Sequence, residues 1–270
     1  TVQGSEAGEN ILVTRAAAAT TVDVDLFKRI QLSEDAPNAL IVAAGLGDDV
    51  ITVTGSGGPA LTVDGGAPSA SDTLIMLSAA ASAIFNVTPG TTNDSGNVAM
   101  DGSSTQFTGI EAVTLDASLG AGADTVTIAG TAGNDAIAVT DIDADSLTVS
   151  VNARAVITVH NATAASSLTV NAGDGSDAIG LAVSGGDNYD LFLNAGGPAG
   201  SDSLVVQGTI LPDAFLYTPD ASVDADGVVD INGEQVTFTG AENVTLAGLG
   251  DIDSVNANQP SLLAADDILS

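Results

Sequence analysis

The sequence predicts an all-β protein, a parallel β-helix or β-solenoid built from two copies of a unit of about 126 residues. Three observations predict this fold: the composition, a duplication that covers the chain, and short alternating apolar segments separated by Gly and Asp. Two tandem β-sandwich domains are the alternative, because about 126 residues is also an ordinary size for a sandwich domain.

The composition favours strands and a core without many rings. The 270 residues are 44% hydrophobic but only 3% aromatic, and they include 31 Gly. Val, Ile and Thr suit strands, while Gly suits the turns between them. Since no segment shows a sustained apolar period of 3.6 residues, we expect almost no helix.

The duplication is seen in matched segments. The segment "FTGIEAVTL" at 107–115 returns as "FTGAENVTL" at 238–246, and "AGLGDD" at 44–49 returns as "AGDGSD" at 172–177. The offset between matched residues drifts from 126 to 131, which indicates small insertions between two copies of one unit. The predicted organisation is a first repeat unit at 1–130, a second at 131–255, and a C-terminal tail at 256–270.

Within each unit, short apolar-x-apolar segments recur at spacings of mostly 8 to 13 residues, for example Ile137 with Val139 and Leu168 with Val170. Alternation places such residues on one face of a strand. Evenly spaced short strands fit either a solenoid or a pair of sandwiches. The scarcity of aromatic residues favours the narrow core of a solenoid.

A repeated turn motif supplies the candidate binding residues. The pattern Gly-x-Asp-x-apolar occurs five times, and "AGLGDDVIT" (44–52), "LGAGADTVT" (119–127) and "AGDGSDAIG" (172–180) carry a further Gly before it. One interpretation is a strand-entry turn whose Asp accepts a hydrogen bond from a backbone N–H. The other is a metal site, and its candidate ligands are Asp124, Asp135, Gly122, Gly133, Asp49, Asp177, Asp202 and Asp72.

These three segments resemble the calcium-binding repeat of repeats-in-toxin (RTX) proteins, with the first Gly lost. In that family the glycine turn offers carbonyl oxygens, the Asp offers a carboxylate, and adjacent coils of a parallel β-roll share Ca²⁺. The resemblance therefore implies calcium. Only the turns at 122–126 and 133–137 follow each other closely, which makes Asp124 and Asp135 the preferred site. The cassette "FTGIEAVTL…GAGADTVTI" is also similar to those of long repetitive bacterial cell-surface proteins.

The charge balance argues against several partners. The chain has 4 basic and 35 acidic residues, a formal net charge of −31, and only six of the acids are Glu. Such a surface repels phosphate and anionic lipid, so we expect no nucleic-acid partner. Salt adaptation would also explain an acidic surface. Without an apolar run of about 18 residues, we expect no membrane insertion.

Residues typical of catalysis are scarce. His160 is the only histidine, and a histidine at a strand end is the simplest interpretation of "VITVHN". A His-based triad or a histidine-rich metal site would need further partners. We therefore predict no enzyme activity and no catalytic residue.

These features together predict an extracellular or cell-surface structural protein that self-assembles into a filament, layer or matrix. Its predicted partners are further copies of itself and calcium ions. Because the chain has no Cys, its stability would come from repeated packing or bound ions. Stacked repeats also expose open strand edges that favour polymerisation. The alternative is a fragment of a large adhesin that binds glycans or another cell.

Overall fold

The fold consists of 25 strands and no helix among the described residues. The computed structural model describes residues 1–17, 19–25, 28–32, 39–67, 71–160, 166–184, 189–197, 201–223, 225–250 and 253–257. The first thirteen strands are β1 (Val2–Gln3), β2 (Asn10–Thr14), β3 (Thr20–Val24), β4 (Lys28–Leu32), β5 (Ala39–Gly45), β6 (Val50–Thr54), β7 (Ala60–Gly66), β8 (Thr73–Leu77), β9 (Ile84–Pro89), β10 (Gly96–Met100), β11 (Ser103–Thr108), β12 (Ala112–Asp116) and β13 (Thr125–Ala129). The remaining twelve are β14 (Ala136–Asp143), β15 (Ser146–Val151), β16 (Val156–His160), β17 (Ser166–Asn171), β18 (Ala178–Ala182), β19 (Tyr189–Asn194), β20 (Ser203–Gln207), β21 (Ala214–Pro219), β22 (Gly227–Ile231), β23 (Glu234–Thr239), β24 (Asn243–Ala247) and β25 (Ser254–Ala257).

Alternating burial explains why these segments form strands. In β6 the side chains of Ile51 and Val53 are fully buried, while the residues between and beside them face outward. A period of two places β-branched side chains on a single buried face, where they pack well against neighbouring strands. The same alternation of buried and outward-facing positions runs through most strands of both copies.

The chain winds between two sheets. Sheet A has 13 strands in the order β1-β5-β7-β11-β10-β9-β13-β17-β19-β23-β22-β21-β25, and sheet B has 12 in the order β24-β20-β18-β14-β15-β16-β12-β8-β6-β2-β3-β4. From β5 to β8, consecutive strands alternate between the sheets, and each pairs in parallel with the strand one coil away. This alternation with parallel pairing is the winding of a β-solenoid.

Four three-stranded antiparallel meanders interrupt the winding. They are β2–β4 and β14–β16 in sheet B, and β9–β11 and β21–β23 in sheet A. Two of their reverse turns, Asp101-Gly102 and Asn232-Gly233, have positive φ at both residues, namely 50° and 80° and then 55° and 95°. Such two-residue turns match the twist of antiparallel strands. The meanders explain why the sequence shows no strict short repeat.

The two repeat copies share both sheets. In sheet B, β12 of the first copy pairs in parallel with β16 of the second, and in sheet A β13 pairs in parallel with β17. Inward-facing side chains from both copies form one hydrophobic cluster, whose largest members include Phe85 and its counterpart Phe215. We refer to the junction of β12 with β16 and of β13 with β17 as the seam.

The predicted all-β solenoid is therefore confirmed, with 59% of residues in strands of two large, mostly parallel sheets. Separate tandem sandwiches do not form, because strands of both copies hydrogen-bond into the same sheets across residue 130. Of the predicted tail, Asn256 and Ala257 belong to β25, and residues 258–270 lie outside the described residues.

Candidate functional site

An acidic residue stands immediately before the strand in two stacks of sheet B turns. The acids precede β2, β6, β8 and β12 in the first copy and β14, β18, β20 and β24 in the second. We call each stack a carboxylate column. The first carboxylate column is Glu9, Asp49, Asp72 and Glu111, and the second is Asp135, Asp177, Asp202 and Glu242.

Hydrogen bonds tie each first-column turn to the next coil. The backbone N–H of Glu9 donates to Asp49 Oδ1 at 2.6 Å, and the N–H of Asp49 donates to Asp72 Oδ1 at 2.8 Å. The N–H of Asp72 in turn donates to Glu111 Oε2 at 2.8 Å. Asp49, Asp72 and Glu111 thus each satisfy a backbone donor of the neighbouring coil, which would otherwise be costly to bury.

The second carboxylate column repeats this pattern. The N–H of Asp135 donates to Asp177 Oδ1 and the N–H of Asp177 donates to Asp202 Oδ1, both at 2.7 Å. The N–H of Asp202 donates to Glu242 Oε2 at 2.8 Å. The duplication therefore preserves a chain of main-chain contacts, and four of the predicted ligands, Asp49, Asp72, Asp177 and Asp202, lie at equivalent places in it.

The glycines of the motif allow adjacent turns to approach. Gly47 has φ +111°, and a Cβ there would lie 2.5 Å from the Gly8 nitrogen. Gly122 has no room either, since its Cβ would lie 2.2 Å from Ser82 Oγ. At Gly133, by contrast, a Cβ would meet nothing within 4 Å. A side chain at Gly47 or Gly122 would prevent the coils from stacking this closely. The geometry therefore indicates that these two glycines allow close stacking of the coils.

Asp124 caps a turn of sheet A, just before β13. Its Oδ1 accepts the N–H of Ala83 at 2.7 Å, and its Oδ2 accepts the hydroxyl of Ser166 at 3.2 Å. Its own N–H donates to the same Ser166 hydroxyl oxygen at 3.0 Å. Both carboxylate oxygens therefore have protein donors.

Asp135 is also satisfied by protein donors. Its Oδ2 accepts the N–H of Thr131 at 2.7 Å, and its Oδ1 accepts the Thr131 hydroxyl at 2.7 Å and the side-chain amide of Asn152. Because Asp124 precedes β13 and Asp135 follows it, the five-residue strand, roughly 17 Å long, separates the two turns. The structure does not bring the preferred pair of the sequence analysis together, and one ion shared by these two carboxylates does not fit this geometry.

A second turn motif escaped the sequence analysis. It reads Gly-[Ser/Thr]-x-x-x-[Asp/Glu] at Gly4–Glu9, Gly130–Asp135 and Gly208–Asp213. The acid accepts the N–H of the Ser or Thr, as in the 2.8 Å bond from the N–H of Thr209 to Asp213 Oδ2. A Cβ on Gly208 would lie 2.2 Å from that Oδ2, so the first residue must be Gly.

The sequence analysis also missed the glutamates of the carboxylate columns. Glu111 and Glu242 follow Gly109 and Gly240 in the spacing of the aspartate motif, with Glu in place of Asp. Those two glycines have φ of +62° and +70°. Searching for Gly-x-acid instead of Gly-x-Asp would have found both glutamates.

Each inner member of the carboxylate columns has one unused oxygen. Among the described residues, the second oxygens of Asp49, Asp72, Asp177 and Asp202 are buried without a hydrogen-bond partner. These four side chains are at most 1% exposed. Burying an ionised carboxylate costs free energy unless it is neutralised by a proton or a cation.

The pKa values follow from this burial. Desolvation raises the pKa of Asp49, and the nearby charges of Glu9 and Asp72 add to it, while the hydrogen bond from the Glu9 N–H opposes it. Desolvation likewise raises the pKa of Asp72 and of Asp177. The carboxylate columns are therefore places where protons or cations would relieve unfavourable charge.

His160 lies at the end of β16, as the sequence predicted. Its Nδ1 is 2.6 Å from the Ser146 hydroxyl oxygen, and that hydroxyl donates to Asp145 Oδ1 at 3.2 Å. With the hydroxyl proton directed at Asp145, Nδ1 is left to donate to Ser146 in the assigned network. This arrangement orients the imidazole and joins the first and last residues of a hairpin.

No family model, curated protein or solved structure matches this chain. Within the described ranges, the chain forms no group of three or more His, Cys, Asp and Glu residues arranged to hold a metal ion. The same ranges include no helix long and apolar enough to cross a membrane.

Proposed function

We propose that this protein is an extracellular structural element that self-assembles into a filament, layer or matrix. The observation that carries the proposal is the seam, where two copies of one unit join through ordinary parallel strand pairing in both sheets. A junction of this kind can be repeated indefinitely, because stacked repeats interact with nearest neighbours only. The formal charge of −31 favours solubility of the free chain before assembly.

Calcium stabilisation is the second part of the proposal. Its support is the set of buried, partnerless oxygens on Asp49, Asp72, Asp177 and Asp202, since Ca²⁺ prefers carboxylate and carbonyl oxygens. Asp49 with Asp72, and Asp177 with Asp202, would each help to hold one ion and would be neutralised by it. Asp124 and Asp135 use both of their oxygens on protein donors, so we assign them to turn formation instead.

Assembly is tested by electron microscopy and light scattering of the purified chain at physiological ionic strength. We expect elongated polymers whose amount rises with protein concentration. A stable monomer that binds glycans would contradict self-assembly and support the adhesin alternative.

Calcium is tested separately by thermal melting in Ca²⁺ and in chelator at equal ionic strength. A ligand at about 100 times its Kd stabilises by about 2.7 kcal/mol, so we expect Tm to rise by roughly 5 °C or more in Ca²⁺. The double variant Asp49→Asn/Asp177→Asn should lose part of this shift, whereas the exposed control Asp190→Asn should keep it. Equal Tm in both buffers would remove calcium from the proposal and leave assembly intact.

A further inference from the structure

We infer that two chains join head to tail, with β24 and β25 of one copy pairing with β4 and β5 of the next in the register of the internal seam. This inference rests on the proposed self-assembly and specifies its interface. Among the described strands, β24 and β4 terminate sheet B, while β25 and β1 terminate sheet A. The partner is thus a second copy of this chain.

The internal seam supplies the template for sheet B. There β12 pairs with β16 in the register Ala112↔Val156, Val113↔Ile157 and Leu115↔Val159. The duplication makes β24 the counterpart of β12, and the matching hairpin registers make β4 the counterpart of β16. The expected intermolecular pairs are Asn243↔Arg29, Val244↔Ile30, Thr245↔Gln31 and Leu246↔Leu32.

Burial differs between the seam and the end strands. Val113 and Leu115 are fully buried, and Ile157 and Val159 are 7% and 2% exposed. Their counterparts Val244, Leu246, Ile30 and Leu32 face the same core but are only partly buried. Docking in the seam register would bury these four side chains against each other, and burial of apolar surface drives association.

Sheet A carries a matching gap. At the seam, all five residues of β13 pair with β17, from Thr125↔Ser167 to Ala129↔Asn171. At the head of the molecule, β1 pairs with only Val42 and Ala43 of β5. Within the described ranges, residues 39–41 of β5 have no strand partner on this edge. The counterpart of the β13 segment that would cover them is 254–256 of β25. Those three residues of one copy would therefore extend β1 of the next into a full-length strand.

The charged contact of the seam is not repeated at the two ends of the chain. At the seam, Arg154 in the turn before β16 donates through Nη1 to the carbonyl oxygens of Gly90 and Thr92, at 2.6 and 2.7 Å, in the turn after β9. At a head-to-tail junction the equivalent elements are the turn before β4 and the turn after β21. Arg29 of β4 already pairs with Asp23 of β3 at 2.6 Å, and the turn before β4 begins with the acidic Asp25, whereas the turn after β21 carries Asp220 and Asp226. Apolar burial, and not charge, would therefore favour the head-to-tail register.

The geometry predicts an open polymer. The head surface and the tail surface differ, so the contact is heterologous, and each added copy presents a new tail. A head-to-tail contact related mainly by translation along the sheets does not close into a ring. The product is a filament in which both sheets continue from chain to chain.

Introduced cysteines test the register, since the sequence contains no Cys. Chains carrying Thr245→Cys and Gln31→Cys are assembled, oxidised and separated under non-reducing conditions. Paired residues on neighbouring strands lie within disulfide range, so we expect a ladder of covalent oligomers. The interior pair Thr114→Cys/Thr158→Cys, matched at the seam, is the positive control and should form an intramolecular disulfide.

The out-of-register pair Thr245→Cys/Arg29→Cys is the negative control and should crosslink at least tenfold less. If filaments form and the interior pair crosslinks, but Thr245→Cys/Gln31→Cys does not, the inferred register is overturned and self-assembly stands. Equal crosslinking of the in-register and out-of-register pairs overturns it too. Chains that remain monomeric under all conditions overturn the proposed function together with this interface.

Discussion

Single residues decide how closely the coils stack. At Gly130 a Cβ would lie 2.2 Å from the Ala172 carbonyl oxygen and 2.6 Å from Asp135 Oδ2. At Gly133, three residues later in the same turn, a Cβ would meet nothing within 4 Å. The two glycines share a turn, but only Gly130 lacks room for a side chain. Substituting each of them therefore distinguishes the effect of packing from the effect of losing a flexible glycine.

Gly130→Ala should destabilise the fold, because the added methyl group forces the turn away from Ala172 and breaks the contacts of Asp135. Overpacking of this kind typically costs about 1–3 kcal/mol. The matched control Gly133→Ala should change the free energy of unfolding by less than about 0.5 kcal/mol. Urea denaturation measures both, and equal effects of the two substitutions would contradict the packing described for Gly130.

The residue scale also shows what the sequence could reveal of the site. Gly-x-Asp marked Asp49 and Asp177 correctly as turn residues, because a short carboxylate near a Gly turn has few other local roles. The sequence did not reveal which turn stacks on which in the folded chain. Glu9 bonds Asp49 40 residues away, whereas Asp49 bonds Asp72 23 residues away. The spacing changes because the β3–β4 hairpin intervenes in only the first case.

At the scale of elements, each carboxylate column is a ladder that links successive turns of sheet B. Burial is the main cause that raises the pKa of Asp49, Asp72 and Asp177. An Asp whose pKa is higher in the folded than in the unfolded chain binds more protons when folded. Between the unfolded value of about 3.9 and the raised folded value, stability therefore increases as pH falls.

In chelator, lowering the pH from neutral toward the unfolded value of about 3.9 should raise Tm, because the buried carboxyls take up protons in the folded state. Asp49→Asn should raise Tm at neutral pH and flatten this pH dependence, since its amide oxygen can still accept the Glu9 N–H. Asp190→Asn, which removes an exposed charge, should leave the slope unchanged. Identical slopes in the two variants would show that general charge repulsion, and not the carboxylate column, causes the effect.

The meanders mark the limit of sequence reasoning about elements. Alternation located strands such as β14 and β17, because burial of one face is a local pattern. Whether neighbours pair in parallel or antiparallel depends on contacts far along the chain. The dipeptides Asp101-Gly102 and Asn232-Gly233 are a local signal for hairpins that the sequence analysis did not use, since few dipeptides tolerate two positive φ values.

At the scale of the whole molecule, end strands and charge together control growth. Copies of a chain with formal charge −31 repel each other, and salt screens that repulsion over about 10 Å at 0.1 M. Apolar burial at Val244 and Leu246 must overcome what repulsion remains. Growth should therefore be faster at moderate salt than at low salt.

Leu246→Lys should produce a folded chain that caps filaments. At the end of sheet B the lysine stem can lie along the sheet with its ammonium in water, but docking would bury the charge. Added at about one part in ten to wild-type chain, it should shorten filaments in electron micrographs. The neighbouring Thr245→Lys places the same charge on the outward face and should not. Identical filament lengths with the two variants would contradict the inferred docking surface.

The placement of the meanders also determines how far each repeat unit extends along the filament axis. Because they alternate between sheet B and sheet A, the second unit adds six strands to each sheet, and every unit would do so in a filament where β25 and the next β1 form one strand. At about 4.8 Å per strand, one unit advances both faces by roughly 29 Å. Because sheet A and sheet B lengthen by the same amount per unit, the filament has no reason to bend toward one sheet. Fibre diffraction from aligned assemblies would accordingly show a strong meridional reflection near 4.8 Å and an axial repeat at a multiple of roughly 29 Å.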